Sequence, residues 1–183
     1  MYHPRSAVVP RRFLLLGLAI VTAGAVGLAL WPAPEPAEFV STEHRFRVRF
    51  DDEPVVTADG GGVTRTTVYS VKSADGERAV IVTDVPVPDD DPPERAPEYL
   101  QLAAADLIRA ASGEQVSSAS IALAGKYPGR AFTAHIQRPR PGVLHARIYL
   151  VGKRLYQVTV RGTQEYANAP AAAAFLDSFM VVE

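Results

Sequence analysis

Arg130-Ala-Phe-Thr-Ala-His-Ile-Gln137 and Val143-Leu-His-Ala-Arg-Ile-Tyr-Leu-Val151 flank the turn Pro139-Arg-Pro141. Both arms alternate apolar and polar residues, which predicts two strands of a β-hairpin. If Arg138 pairs with Gly142, Phe132 lies opposite Ile148, Ala134 opposite Ala146 and Ile136 opposite Leu144. Every core pair is then apolar, so turn length and hydrophobic register agree. The same register puts His135 directly opposite His145 on the other face, beside Thr133, Gln137, Arg147 and Tyr149.

The pattern extends in both directions from this hairpin. Gly152-Lys153 turns the chain into Arg154–Arg161, where Leu155 marks one face and Tyr156, Val158 and Val160 the other. A strand apolar on both faces is one covered on both sides. Upstream, Val116–Leu123 reads as a strand ending at the turn Gly125-Lys-Tyr-Pro-Gly129. Phe46, Val48 and Phe50 share one face of a further strand. Pro54-Val-Val-Thr57 leads to the turn Asp59-Gly-Gly-Gly62, followed by strands over Val63–Val71 and Arg78–Val85. A helix is expected from Pro97 to Ala111, with Tyr99, Leu100, Ala103, Leu107 and Ala110 on one face and Ser112-Gly113 as its stop. Asp89-Asp90-Asp91 lacks the alternate spacing of a calcium loop and reads as a solvated lead into that helix. A short helix near Pro170 carries Phe175, Leu176 and Phe179.

Residues 1–12 are basic through Arg5, Arg11 and Arg12, and residues 13–31, Phe13 to Trp31, contain no charge. Nineteen residues at about 1.5 Å each match the hydrocarbon thickness of a bilayer. The reading is a single-pass transmembrane anchor, its N-terminus cytoplasmic by the positive-inside rule. Residues 32–38 form a proline-rich spacer, and residues 39–183 an extracytoplasmic domain. The alternative is a cleaved signal and a secreted domain. Against it, Ala29-Leu-Trp-Pro32 places a large ring and a proline where a small-x-small site is needed.

The chain has 183 residues, fifteen prolines, thirteen glycines and no cysteine. Disulfides, a lipidated cysteine, a thiol nucleophile and cysteine-based metal sites are thereby excluded. From Glu35 to Glu114 there are seventeen acidic residues against eight basic. From Gln115 to Gln164 there are eight basic residues and no acidic one: Lys126, Arg130, Arg138, Arg140, Arg147, Lys153, Arg154 and Arg161. They are the candidate binding residues, a basic surface for anionic lipid, a wall polymer or an envelope protein. The competing account is that acidic and basic strands compensate one another within one sheet. A domain outside the cytoplasm is not expected to bind nucleic acid.

No catalytic motif stands out. Ser73, Ser112, Ser117, Ser118 and Ser120 lie outside any nucleophile-elbow pattern, and Gly60-Gly61-Gly62 precedes a strand rather than a helix N-terminus. His135 and His145 are weak metal candidates with no local carboxylate, and Arg147 beside them repels a cation. His44 has no partner identifiable from sequence. No cofactor is called for.

The strand Phe46–Phe50, the central helix, the Tyr127-Pro-Gly-Arg130 turn, the hairpin Arg147–Val160 and the closing Phe175-Leu-Asp-Ser-Phe179 segment together resemble the PsbP/Mog1-like superfamily. The resemblance covers most of residues 39–183 by pattern, without a diagnostic motif. It implies an α/β (α+β) fold, an antiparallel sheet sandwiched between helices (α/β/α), here preceded by one transmembrane helix. It also implies mostly non-catalytic accessory or binding roles. The expected function is therefore a membrane-anchored, non-catalytic binding or accessory domain of the cell envelope. The alternative is a metal-dependent or hydrolytic enzyme built on the His135/His145 face.

Overall fold

The computed structural model describes residues 37–59, 64–86, 93–137 and 140–182. The expected anchor at 13–31, the basic segment before it and the acidic run at 89–91 lie outside the described residues. No helix among the described residues is long and apolar enough to cross a membrane.

The two arms of the opening hairpin are β7 (Tyr127–Ile136) and β8 (Gly142–Val151). Their register differs from the expected one by two residues. Phe132 faces Ala146, Ala134 faces Leu144, and Ile136 faces Gly142. The turn therefore spans five residues rather than three. An even slip leaves every side chain on its expected face, because strand side chains alternate with period two. It does separate the histidines: His135 lies opposite Val143, and His145 opposite Thr133.

The hairpin belongs to a seven-stranded antiparallel sheet. Its other strands are β3 (Val55–Asp59), β4 (Thr66–Lys72), β5 (Gly76–Asp84), β6 (Gly113–Leu123) and β9 (Arg154–Gly162). The spatial order is β3-β4-β5-β9-β8-β7-β6, so β3 and β6 are the edges. β1 (Ala37–Ser41), β2 (Phe46–Phe50) and β10 (Met180–Val181) form a second sheet with β2 in the middle. β1 takes in Ala37 and Glu38, the last two positions of the expected spacer.

The middle strands of the large sheet are buried on both faces. On one, Phe132, Ala134, Leu144, Ala146, Ile148, Leu150 and Leu155 meet Ala96, Leu100 and Ala104 of α1 (Ala96–Ala110). The apolar positions of α1 recur at helical spacing, and Pro97 enters its first turn. On the other face, Tyr69, Val80, Val82, Tyr149, Tyr156, Val158 and Val160 meet Phe46, Val48 and Phe50 of the small sheet. Ala172, Phe175, Leu176 and Phe179 join them from α3 (Pro170–Asp177) and the segment after it. A one-turn helix α2 (Gln164–Ala167) precedes α3, its N-terminus capped by the Thr163 hydroxyl.

Antiparallel sheet therefore dominates, with few helices. Helices alone do not sandwich it: on the second face, three short strands do as much of the covering as α2 and α3. The chain could not signal this from periodicity, because Ala37–Ser41 and Met180–Val181 are too short to show a pattern alone.

Two glycines fix how α2 sits. A Cβ at Gly76 or at Gly162 would fall within 2.3 Å and 2.8 Å of the Tyr166 ring, so that ring rests on bare backbone. The guanidinium of Arg78, itself buried and paired with Asp51, lies 5.3 Å from the centre of the same ring.

Candidate functional site

Three connections converge at one end of the sheet. The β1–β2 turn brings Glu43 and Arg45, the end of β5 brings Asp84 and Val85, and the β8–β9 turn brings Lys153, Arg154 and Tyr156. With Tyr127 and Val182 they enclose a cleft of about 650 Å³. Arg45 is exposed and its backbone adopts φ +51, the left-handed region that a non-glycine residue enters at a cost of about 1–2 kcal/mol. The turn is held in that shape from both sides. Val182 N–H donates to the Arg45 carbonyl at 2.8 Å, and the Tyr156 hydroxyl donates to the His44 carbonyl at 2.8 Å.

Beneath the cleft the polar groups are buried and joined. His44 Nδ1 lies 2.6 Å from the Tyr69 hydroxyl, which lies 3.0 Å from Ser41 Oγ, and Ser41 Oγ accepts from the His44 N–H at 3.2 Å. Burial lowers the pKa of His44, because a cation there loses its hydration, so the imidazole is held neutral. Burial also raises the Tyr156 phenol, against the opposing pull of the neighbouring Arg154. These groups anchor the turn and are sealed from solvent. The ligand-facing chemistry belongs to the charged rim above them.

On that rim Asp84 Oδ1 takes a hydrogen bond from Arg154 Nε at 3.1 Å, and Glu43 lies 3.8 Å from Arg65. Both carboxylates of the cleft are thus engaged. Arg45 pairs with no carboxylate among the described residues. The cleft offers the Arg45 cation beside the partly exposed Tyr127 ring, a combination suited to an anionic group.

The eight candidate basic residues do not form one surface. Lys153 and Arg154 line the cleft, and Lys126 lies next to its Tyr127, 4.9 Å from the centre of that ring. Arg140 and Arg161 line a hollow at the opposite end of the sheet, where Arg161 also pairs with Glu77 at 2.6 Å. Arg147 faces α3 and holds Asp177 at 2.5 Å. Arg130 lies on the α1 side and donates to Ser118 Oγ at 2.8 Å. Arg138 lies outside the described residues. Cross-sheet compensation therefore absorbs Arg154 and Arg161, whereas Arg147 is neutralised by Asp177 of α3. Arg45 was missed by sequence reasoning, because it belongs to the acidic half of the chain and reaches the cleft only through the fold.

The histidines of the alternative reading are engaged separately. His145 Nδ1 lies 3.0 Å from Thr133 Oγ1, and its Nε2 lies 2.9 Å from Asn168 Oδ1. Both ring nitrogens are occupied. His135 is exposed beside Glu114 of β6. No group of three or more metal-ligating side chains occurs among the described residues.

No protein-family profile and no curated protein matches this sequence. Solved structures do. The solution structure of cyanobacterial PsbP (CyanoP) from Synechocystis sp. PCC 6803 aligns over 83% of this chain and 95% of its own, at 11% identity and a TM-score of 0.60. The domain has a PsbP-like fold. A protein of unknown function from Pseudomonas aeruginosa, described as a putative regulator, aligns over 73% of this chain and 86% of its own, at 11% identity and a TM-score of 0.41.

Proposed function

We propose that this protein is a non-catalytic binding or accessory domain of the cell envelope, anchored by residues 13–31 and presenting the cleft around Arg45 outside the cytoplasm. The observation that carries the binding role is the Arg45 turn. A left-handed arginine, in a turn whose backbone carbonyls accept hydrogen bonds from Tyr156 and Val182, brings to the cleft a guanidinium that pairs with no carboxylate among the described residues. A turn whose backbone is set before binding delivers that guanidinium to the cleft without first ordering the chain. The anion is carried by an envelope partner: a lipid headgroup, a wall polymer or an acidic protein surface. Within this reading the fold belongs to the PsbP/Mog1-like group in a membrane-anchored bacterial form, with helices as part of both outer layers.

The test is crosslinking in intact membranes, comparing the unaltered chain with Arg45→Glu. The reading expects the full chain in the membrane pellet after a high-salt wash, and a crosslinked partner whose yield falls several-fold in the variant. Release by the wash overturns the anchor. Equal yields from both proteins overturn the cleft.

A further inference from the structure

The two edges of the large sheet are unequal. β3 is five residues long, follows Pro54 and ends in Asp59, and short length, proline and charge are how natural sheets blunt an edge. β6 is eleven residues long, and from Gln115 to Leu123 it carries no charge and no proline. One bulge, between Gln115 and Ser117, interrupts it, after which seven residues run in regular register against β7. Residues 114–120 are all exposed. Among the described residues, the outer backbone groups of this strand face no neighbouring strand.

Hollows flank this edge on both faces. On the α1 side, Ala104, Ala105, Ile108, Arg109, Gln115 and Arg130 enclose about 460 Å³. On the other, Ser117, Ala131, Thr133, His145 and Arg147 border one of about 280 Å³. An added strand projects alternate side chains to opposite faces, so it would place them in both hollows while its backbone bonds to β6.

We infer that β6 is a strand-addition site for an extended, acidic peptide segment of a partner protein. Charge selects this occupant. Arg109 already faces Asp106 at 2.7 Å and Arg147 already faces Asp177, whereas Arg130 donates to Ser118 and pairs with no carboxylate among the described residues. That guanidinium stands at the middle of the uncharged run. A second copy is disfavoured by the same residue: two-fold pairing of β6 about Ala119 would bring two Arg130 side chains to one seam. This inference does not depend on the cleft around Arg45.

The full chain is titrated with a seven-residue peptide alternating glutamate and valine, and with its lysine counterpart, while backbone amide signals and hydrogen exchange are followed. The expected result is shifts over Glu114–Leu123, slowed exchange of the outward amides of β6, and a preference of about tenfold for the glutamate peptide. Arg130→Glu should abolish that preference and Arg130→Lys retain most of it, with β4 and β5 signals unchanged as the check on folding. Shifts confined to other strands, equal affinity for the two peptides, or β6 signals that change with protein concentration alone would overturn the inference. The last result would identify a second copy as the occupant.

Discussion

The two faces of the large sheet are buried by different means. The face towards the small sheet is aromatic: Phe46 packs against Tyr69, Tyr156 and Phe179 with ring centres 5.0, 6.3 and 5.8 Å apart, and Tyr149 stacks on Phe179 at 5.8 Å. Buried hydroxyls and an imidazole are threaded through its margin. The α1 face is mainly aliphatic, built from alanine, leucine and Ile148 with Phe132 as its one fully buried ring, under one helix. Interlocked rings and hydrogen bonds leave little room to relax, whereas a single helix can settle towards its sheet. The cleft around Arg45 is bordered by Tyr156 of the rigid face, which suits a turn that must hold Arg45 in an unfavourable backbone conformation.

Cavity mutations put this contrast to its strongest test. Phe46→Ala should destabilise the domain by about 3–5 kcal/mol, because the small sheet and Phe179 cannot close the space it leaves. Leu100→Ala should cost about 2–3 kcal/mol, the low end for such a truncation, since α1 can move inward. Urea midpoints at constant slope measure both. A Leu100→Ala loss equal to that of Phe46→Ala would remove the distinction between a rigid and a yielding face.

Tyr69→Phe is a smaller change with a more local reading. It deletes one hydroxyl and leaves His44 Nδ1 and Ser41 Oγ buried without that partner, at about 1–3 kcal/mol. If the network shapes the cleft, amide signals of Glu43 and Arg45 should shift in the variant while those of α1 stay in place.

The smallest effect is a dependence on pH. The folded-state pKa of His44 lies below its unfolded value of about 6.5. Above that value both states hold a neutral imidazole and stability is complete. As pH falls, the unfolded chain binds a proton that the folded protein resists, so stability declines until the folded pKa is passed. Unfolding midpoints should therefore fall between about pH 6.5 and 5, before carboxylates titrate. In His44→Asn that slope should flatten; an unchanged slope would assign the titration elsewhere.

Much of this architecture is legible in local pattern. The strand Phe46–Phe50, the helix around Leu100 and the closing helix with Phe175 follow from alternation, helical spacing and proline placement. So does the division of β9, with Leu155 towards α1 and Tyr156, Val158 and Val160 in the aromatic core. The hairpin register was off by two because apolar pairing cannot distinguish even slips: Phe132 is as well matched by Ala146 as by Ile148. The His135–His145 pair fell with that register. The cleft was largely hidden, since Arg45, Asp84 and Arg154 meet only when the β1–β2 turn folds over the sheet. His44 gave no signal at all, as its partners Tyr69 and Ser41 are fixed by the packing of two sheets.

β10 pairs with β2, so that Met180 lies opposite Arg47 and Val181 opposite Phe46. The two strands are separated by most of the domain's length. Closing so large a loop is entropically costly and comes late in folding. During synthesis one backbone edge of β2 therefore stays unpaired until Met180–Val181 leaves the ribosome, and the turn that holds Arg45 gains its bond from Val182 only then. The turn around Arg45 is thus completed only when the segment Met180–Val182 docks on β2. A nascent or C-terminally clipped domain would carry its cleft residues without the clamp that sets them.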